Sequence, residues 1–185
     1  IAIFEFQTMI SELTGLPVAN ASLYDGGSAA GEAALLSMAT TGRNRIVITG
    51  RFHPHYIQVV KTYVERSEGQ VILVDAPDHL TDLDLLAKSV DDNTACVFVQ
   101  NPNFFGRLEP VRKIREIAAA AGALLVVSVD PLTLGILAML SGREKTGRGA
   151  HLDFSMLDGQ VSLLTLAAAR YFALGEIPPR LGTEH

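Results

Sequence analysis

Four short motifs in this chain carry residue types that could bind a small charged ligand, and the first of them is rich in glycine. Gly26, Gly27 and Ser28 lead into a run of small residues with helical character. Backbone N–H groups at the beginning of a helix can cradle a phosphate, and the Ser28 hydroxyl could add a further donor. The plainer alternative is a glycine turn in which Ser28 serves as an ordinary N-cap.

The other three motifs each follow an apolar run that has the character of a strand. His53 comes after the run that ends at Gly50, and an imidazole there could stack over a heteroaromatic ring. Asn101, which precedes Pro102, could supply an amide to a cofactor or substrate, and Asp130 could pair with a pyridinium nitrogen. Each motif also has a plainer interpretation: a solvated histidine, Asn-Pro turn chemistry, and an aspartate that caps a strand end.

The elements that would position these motifs alternate along the chain. Short aliphatic and β-branched runs predict strands at 46–48, 71–74, 96–99 and 124–129. Helical patterns predict helices at approximately 29–39, 54–67, 80–90 and 109–121, after an earlier helix that ends before Gly15. Strands that alternate with helices indicate an α/β fold with a mostly parallel sheet and helices over its faces. In such sheets ligands bind at the carboxyl ends of the strands.

The composition is that of a globular protein without an unusual charge. The 185 residues are 48% hydrophobic and 19% charged, with a net charge of −5 and no long block of either sign. No apolar run approaches the ~20 residues of a membrane span, so we expect no membrane and no nucleic-acid partner. The single cysteine, Cys96, lies in a strand-like apolar run, which is consistent with a reducing, cytoplasmic compartment. We predict no metal site, and we expect the chain to begin inside a longer protein because it opens without Met.

Together, the four motifs occur in the order that is found in the large domain of fold-type I pyridoxal-phosphate enzymes. The resemblance to one family is closer than the fold. The strings at 3–10, 13–15, 18–22, 24–26, 99–103 and 129–135 resemble the glycine-cleavage P-protein family, of the glycine dehydrogenase (decarboxylating) subunit 1 type. This resemblance covers about residues 1–138 and implies a partial fold-type I large domain.

The resemblance also implies a function that needs other proteins. Enzymes of this family bind pyridoxal phosphate, decarboxylate glycine and pass an aminomethyl group to the lipoyl H protein. The covalent cofactor lysine belongs to glycine dehydrogenase subunit 2, and no lysine of this chain follows Asp130 in a position to replace it. The lysines of this chain are Lys61, Lys88, Lys113 and Lys145.

We therefore expect no catalytic residue in this chain, no activity of the chain alone, and an oligomer with subunit 2. Pyridoxal phosphate would be bound by the assembled enzyme. The residues that the resemblance places at the cofactor are Gly26, Gly27, Ser28, His53, Asn101 and Asp130.

The C-terminal part of the chain has a different resemblance. The connector 142–149 and the strings at 153–158 and 170–182 resemble family III CoA-transferases. We therefore predict two regions, a pyridoxal-phosphate-transferase-like large-domain fragment at 1–138 and a CoA-transferase-like segment at 139–185.

The tail would be a strand-helix segment with a long apolar helix at about 155–174. In the CoA-transferase family a catalytic aspartate precedes a Gly-Ile-Leu-Ala helix, which is present at 135–138. Asp130 is closer to that helix than the family spacing, so we assign no catalysis to it. A CoA-transferase fragment and a non-enzymatic composite fragment are the alternative functions.

Overall fold

The computed structural model describes residues 2–20, 23–129 and 147 of the chain. It divides into two units, residues 22–134 in one and residues 1–21 with 135–185 in the other. In the latter unit, the described helix α1 (Ala2–Thr14) ends before Gly15, which has a positive φ of 70°. The helix and its glycine stop are therefore as predicted. The predicted helix at 155–174 and the rest of the strand-helix tail lie outside the described residues.

The unit of residues 22–134 alternates helices and strands and confirms the predicted α/β fold. Its strands are β1 (Arg45–Ile48), β2 (Gln70–Leu73), β3 (Thr94–Gln100) and β4 (Leu124–Ser128). Its helices are α2 (Gly26–Thr41), α3 (Pro54–Glu65), α4 (Leu83–Ser89) and α5 (Val111–Ala120). The strands and helices that were predicted between residues 29 and 129 are all present, and the differences are confined to their ends.

The sheet is parallel throughout and has the strand order β2-β1-β3-β4. Val47 in β1 is paired with Ile72 on one side and with Val97 on the other. The chain therefore moves from β1 to β2 in one direction and then returns to add β3 on the opposite side of β1. Such a reversal is a topological switch point, and ligands of open α/β sheets bind outside the strand ends there.

Alternation of side chains along the two central strands builds a core on each face of the sheet. Ile46, Cys96 and Phe98 face α2 and α3, whereas Val47 and Val97 face α4 and α5. All five side chains are fully buried. The three-layer arrangement follows directly, because strands buried on both faces need helices on both sides.

Helices α2 and α3 approach each other closely at glycines of α2. A Cβ atom at Gly31 would lie 2.9 Å from the Tyr63 ring, and one at Gly26 would lie 2.5 Å from the Tyr56 hydroxyl oxygen. Both distances are shorter than real Cβ contacts allow, so the two tyrosines occupy the space that a side chain would need. The glycines that sequence patterns associate with phosphate binding thus also have a packing role.

Replacing Gly31 with alanine is expected to lower the free energy of unfolding by about 1–2 kcal/mol. Overpacking against Tyr63 should outweigh the gain of about 1 kcal/mol in helix propensity. Chemical denaturation of the full chain measures the change. In a Tyr63→Ala background the same Gly31→Ala change should be neutral or stabilising, and stabilisation of the otherwise unchanged chain would contradict the close contact.

Cys96 gives the stability of the chain a specific dependence on pH. Burial raises the pKa of its thiol from 9.0 to about 12, although a hydrogen bond with Ser37 opposes the shift. The unfolded chain therefore releases this proton first, so the stabilising contribution is present below pH 9 and is lost as the pH rises towards 12.

Above pH 9 the free energy of unfolding of the natural chain should fall more steeply than that of the Cys96→Ala variant. The expected difference in slope approaches about 1.4 kcal/mol per pH unit. Urea denaturation at a series of pH values measures both slopes, and parallel curves would show that the thiol is not buried as described.

Candidate functional site

Hydrogen bonds connect the carboxyl ends of β1, β3 and β4 at the switch point. His53, in the connection that follows β1, donates its backbone N–H to Gln100 Oε1 at the end of β3, at 2.9 Å. The next residue, Asn101, donates its backbone N–H to the Ser128 carbonyl oxygen at the end of β4, at 2.9 Å. The structure therefore brings two of the predicted site residues, His53 and Asn101, to the same edge of the sheet.

The imidazole of His53 lies among aromatic rings and is only partly exposed. The Tyr56 ring is stacked on it with a centroid distance of 4.5 Å and an interplanar angle of 26°, and Phe104 meets it edge-on at 5.2 Å. Its Nδ1 accepts a hydrogen bond from the His55 backbone N–H at 3.2 Å, so a neutral ring carries its proton on Nε2. The Tyr56 ring thus covers one face of the imidazole, so a flat ligand could not stack on that face.

The N-terminus of α2 is linked to His53 through Tyr56, which lies against Gly26. The helix begins at Gly26, and its N-cap is Asp25, whose carboxylate accepts a hydrogen bond from the Ser28 N–H at 2.7 Å. The prediction that Ser28 is the N-cap was therefore wrong. Aspartate and serine are comparable capping residues, and the helix extends one turn further than its run of small residues indicated.

Asp25 places a negative charge where the sequence predicted a phosphate. The hydrogen bond from the Ser28 backbone lowers the pKa of Asp25, so its carboxylate is ionised at neutral pH. This carboxylate interacts favourably with the helix dipole, and it already occupies the Ser28 N–H. Gly27 also contributes to helix packing, since a Cβ there would lie 3.3 Å from Val59. Phosphate binding by Gly26, Gly27 and Ser28 stays a prediction.

A buried carboxylate that the sequence analysis missed organises the loops beside the site. Glu109 is only 6% exposed, and its Oε2 accepts a hydrogen bond from the Thr81 N–H at 2.9 Å. Its Oε1 accepts a hydrogen bond from Asn103 Nδ2 at 2.7 Å. The Glu109 backbone N–H in turn donates to Asn101 Oδ1 at 2.9 Å. The side-chain oxygen of Asn101 therefore holds the loop, which leaves it less available to a ligand.

Asn103 and Gly50 complete this network around Glu109. Asn103 is 4% exposed, and its Oδ1 accepts hydrogen bonds from the Phe105 and Arg107 N–H groups at 3.0 and 3.1 Å. At Gly50, which has a φ of 71°, a Cβ would lie 2.6 Å from Glu109 Oε1. One carboxylate thus contacts the loops that follow β1, β2 and β3. The Asn-Pro-Asn turn was visible in the sequence, but Glu109 gave no periodic signal.

One predicted site residue and one lysine cannot be compared with the described site. Asp130 and Lys145 lie outside the described residues, so the predicted place of Asp130 stays a prediction. Lys61, Lys88 and Lys113 lie within α3, α4 and α5. Within residues 2–20, 23–129 and 147, no cluster of three or more histidine, cysteine, aspartate or glutamate side chains could hold a metal ion. No helix in that same part of the chain is long and apolar enough to cross a membrane.

Two family profiles match this chain and overlap at residues 115–142. The profile described as "Glycine cleavage system P-protein" matches residues 1–142. The profile described as "CoA-transferase family III" matches residues 115–185.

Individual proteins show the same similarity over the first part of the chain. A probable glycine dehydrogenase (decarboxylating) subunit 1 from Carboxydothermus hydrogenoformans is 52% identical over 136 residues, which are 74% of this chain and 31% of that protein. A crystal structure of glycine decarboxylase (P-protein) of the glycine cleavage system, in inhibitor-bound form, is 42% identical with a TM-score of 0.68. The match covers 72% of this chain and 30% of that one, so the chain spans about a third of such relatives.

A more distant structure shows the fold alone. A NifS-like protein is 18% identical with a TM-score of 0.55, over 70% of this chain and 36% of that one. The fold of the sheet is therefore that of the fold-type I large domain.

Replacing Glu109 with glutamine is expected to lower the free energy of unfolding by about 1–3 kcal/mol. The NH₂ group of the glutamine would point at either the Thr81 backbone N–H or the Asn103 side-chain amide, so two hydrogen-bond donors would face each other. Urea denaturation of the full chain measures the loss. Glu116→Gln, on the exposed surface of α5, is the matched control and should change stability by less than about 0.5 kcal/mol. Equal effects of the two substitutions would contradict the organising role of Glu109.

Proposed function

Because this chain belongs to the glycine cleavage system P-protein family over residues 1–142, we propose that it is a subunit-1-type fragment that supports glycine decarboxylation together with subunit 2. In this proposal the assembled cytoplasmic enzyme binds pyridoxal phosphate and passes an aminomethyl group to the lipoyl H protein. The hydrogen bond between the His53 backbone and Gln100 carries the proposal. It holds His53, which we propose faces the cofactor ring, at the switch point between β1 and β3.

The described residues fit only part of a pyridoxal-phosphate site. Tyr56 covers one face of the His53 ring, and we propose that the cofactor ring stacks on the other. The α2 N-terminus does not suit the phosphate as it stands, because Asp25 already supplies a negative charge there. The described lysines lie within helices, and none lies in the loops at the strand ends.

We therefore assign this chain a supporting half-site without a catalytic residue. Pyridoxal phosphate, when bound, supplies the electron sink that decarboxylation requires. The contribution of this chain is to orient the ring and to exclude water from one side of it. His53 and Asn101 are the described members of this proposed half-site, Gly26, Gly27, Ser28 and Asp130 stay predicted members, and subunit 2 would contribute the covalent lysine.

The edges of the sheet support an assembled state. Leu73 of β2 is 49% exposed, and Leu124 and Val127 of β4 are 40% and 39% exposed. Apolar edge strands of this kind favour association with further protein. In the relatives the matched part is only about a third of the protein, so they contain additional protein beyond it. We propose that subunit 2 and the lipoyl H protein are its functional partners in an oligomer.

A second candidate function, the movement of CoA between carboxylates, rests on the profile match at residues 115–185. The described beginning of that match, up to Val129, forms most of α5 and all of β4. It is therefore part of the same sheet as the P-protein-like residues. We propose a division into a P-protein-like fragment at 1–138 and a CoA-transferase-like segment at 139–185. A composite fragment without enzymatic activity is the third candidate.

The His53→Asn substitution should weaken pyridoxal-phosphate binding by the assembled subunits about three- to tenfold. Asparagine can still cap α3 but cannot stack on the cofactor ring, and such stacking contributes about 0.5–1.5 kcal/mol. Absorbance titration of the cofactor, with the chain and a glycine dehydrogenase subunit 2, measures the affinity.

His55→Asn is the matched control, because His55 is exposed, keeps the backbone N–H that bonds His53 Nδ1, and loses only an edge-on ring contact with His53 at a centroid distance of 5.4 Å. It should leave the cofactor affinity unchanged. Equal affinities for the natural chain and both variants would contradict the stacking role. Measurable CoA exchange by the chain itself would instead favour the second candidate function.

A further inference from the structure

A cleft of about 400 Å³ opens between the carboxyl ends of β1 and β2. Ile48 and Leu73, the last residues of these strands, form part of its floor, and Phe52, Phe104 and Phe105 add aromatic surface. Its volume lies within the range of about 300–1,000 Å³ that is usual for small-molecule sites. His53 does not line this cleft, so the cleft is distinct from the proposed cofactor site around His53. Phe104 lines the cleft and also contacts the His53 ring.

Two opposite charges line this otherwise apolar cleft, and they are only loosely paired. Arg51 Nη2 lies 3.8 Å from Asp75 Oδ1, which is beyond hydrogen-bonding distance. The Nε atom of Arg51 is buried and, in the described part of the chain, has no hydrogen-bond partner. The Arg51 side chain as a whole is 36% exposed, so a ligand carboxylate could reach its terminal nitrogens and form paired hydrogen bonds with them.

Asp75 restricts which carboxylate ligands can bind well. Its side chain is 73% exposed, and its Oδ1 accepts a hydrogen bond from the Ala76 N–H at 2.8 Å. A simple carboxylate bound to Arg51 would lie close to this negative charge and would be repelled. A ligand that also carries an ammonium group could place it against Asp75 and turn the repulsion into attraction.

We propose that this cleft binds a zwitterionic amino acid with an apolar side chain, its carboxylate on Arg51, its ammonium group near Asp75 and its side chain against Phe52, Phe104 and Phe105. The carboxylate forms paired hydrogen bonds with the guanidinium, and the aromatic rings exclude water from the apolar side chain. Glycine lacks the side chain that the apolar lining would hold. The proposed ligand is thus different from the substrate of the proposed decarboxylation, and the inference does not depend on that function.

The proposal is tested by titrating the full chain with L-phenylalanine while ligand-observed NMR records binding. Arg51→Met keeps the apolar stem and removes the charge, so it should weaken binding by about tenfold or more. Asp75→Asn keeps an acceptor for the Ala76 N–H and should also weaken binding, though by less. Arg115→Met, on the exposed side of α5, is the matched control and should bind phenylalanine as the natural chain does.

Two analogues separate the roles of the charges. We expect 3-phenylpropanoate, which lacks the ammonium group, and phenethylamine, which lacks the carboxylate, to bind more weakly than phenylalanine. Glycine in excess should not displace phenylalanine. Unchanged binding to Arg51→Met, or equal binding of phenethylamine and phenylalanine, would overturn the site. Binding of 3-phenylpropanoate as tight as that of phenylalanine would overturn the role of Asp75.

Discussion

The burial of the Glu109 carboxylate is the constraint on which the strand-end loops depend. A buried carboxylate is tolerated only when hydrogen bonds replace its lost hydration. Glu109 obtains them from the Thr81 backbone and the Asn103 amide, and in the described part of the chain no arginine or lysine forms a salt bridge with it. Moving any of the loops after β1, β2 or β3 would disturb this arrangement, because all of them contact the same carboxylate.

That constraint also explains how the candidate site acquires its shape. The backbone N–H of Glu109 holds Asn101, and the neighbouring Gln100 holds the backbone of His53. The orientation of the histidine is thus set by hydrogen bonds that run from the centre of the loop network to the beginning of α3. Functional sites require this kind of indirect support, because a ring on a free loop would not hold a fixed position.

The sequence predicted the regular elements well because their patterns are local. Buried parallel strands appear as continuous aliphatic runs, and β3, with Cys96 at its centre, is a clear example. The cap of α2 was predicted at Ser28 instead of Asp25, since both residue types cap helices and only the backbone conformation decides between them. Glu109 could not be predicted, because a glutamate before a proline resembles an exposed loop residue. Its burial results from contacts with residues that are distant in sequence, such as Thr81.

In our proposal this chain supports an active site that it shares with subunit 2 and does not form a complete one by itself. The most direct test is glycine-dependent exchange of carbon dioxide, measured in the presence of pyridoxal phosphate and the lipoyl H protein for the chain alone, for a glycine dehydrogenase subunit 2 alone, and for the two together. We expect exchange only when both are present. Exchange by the chain alone, or no gain when the chain is added to subunit 2, would contradict it.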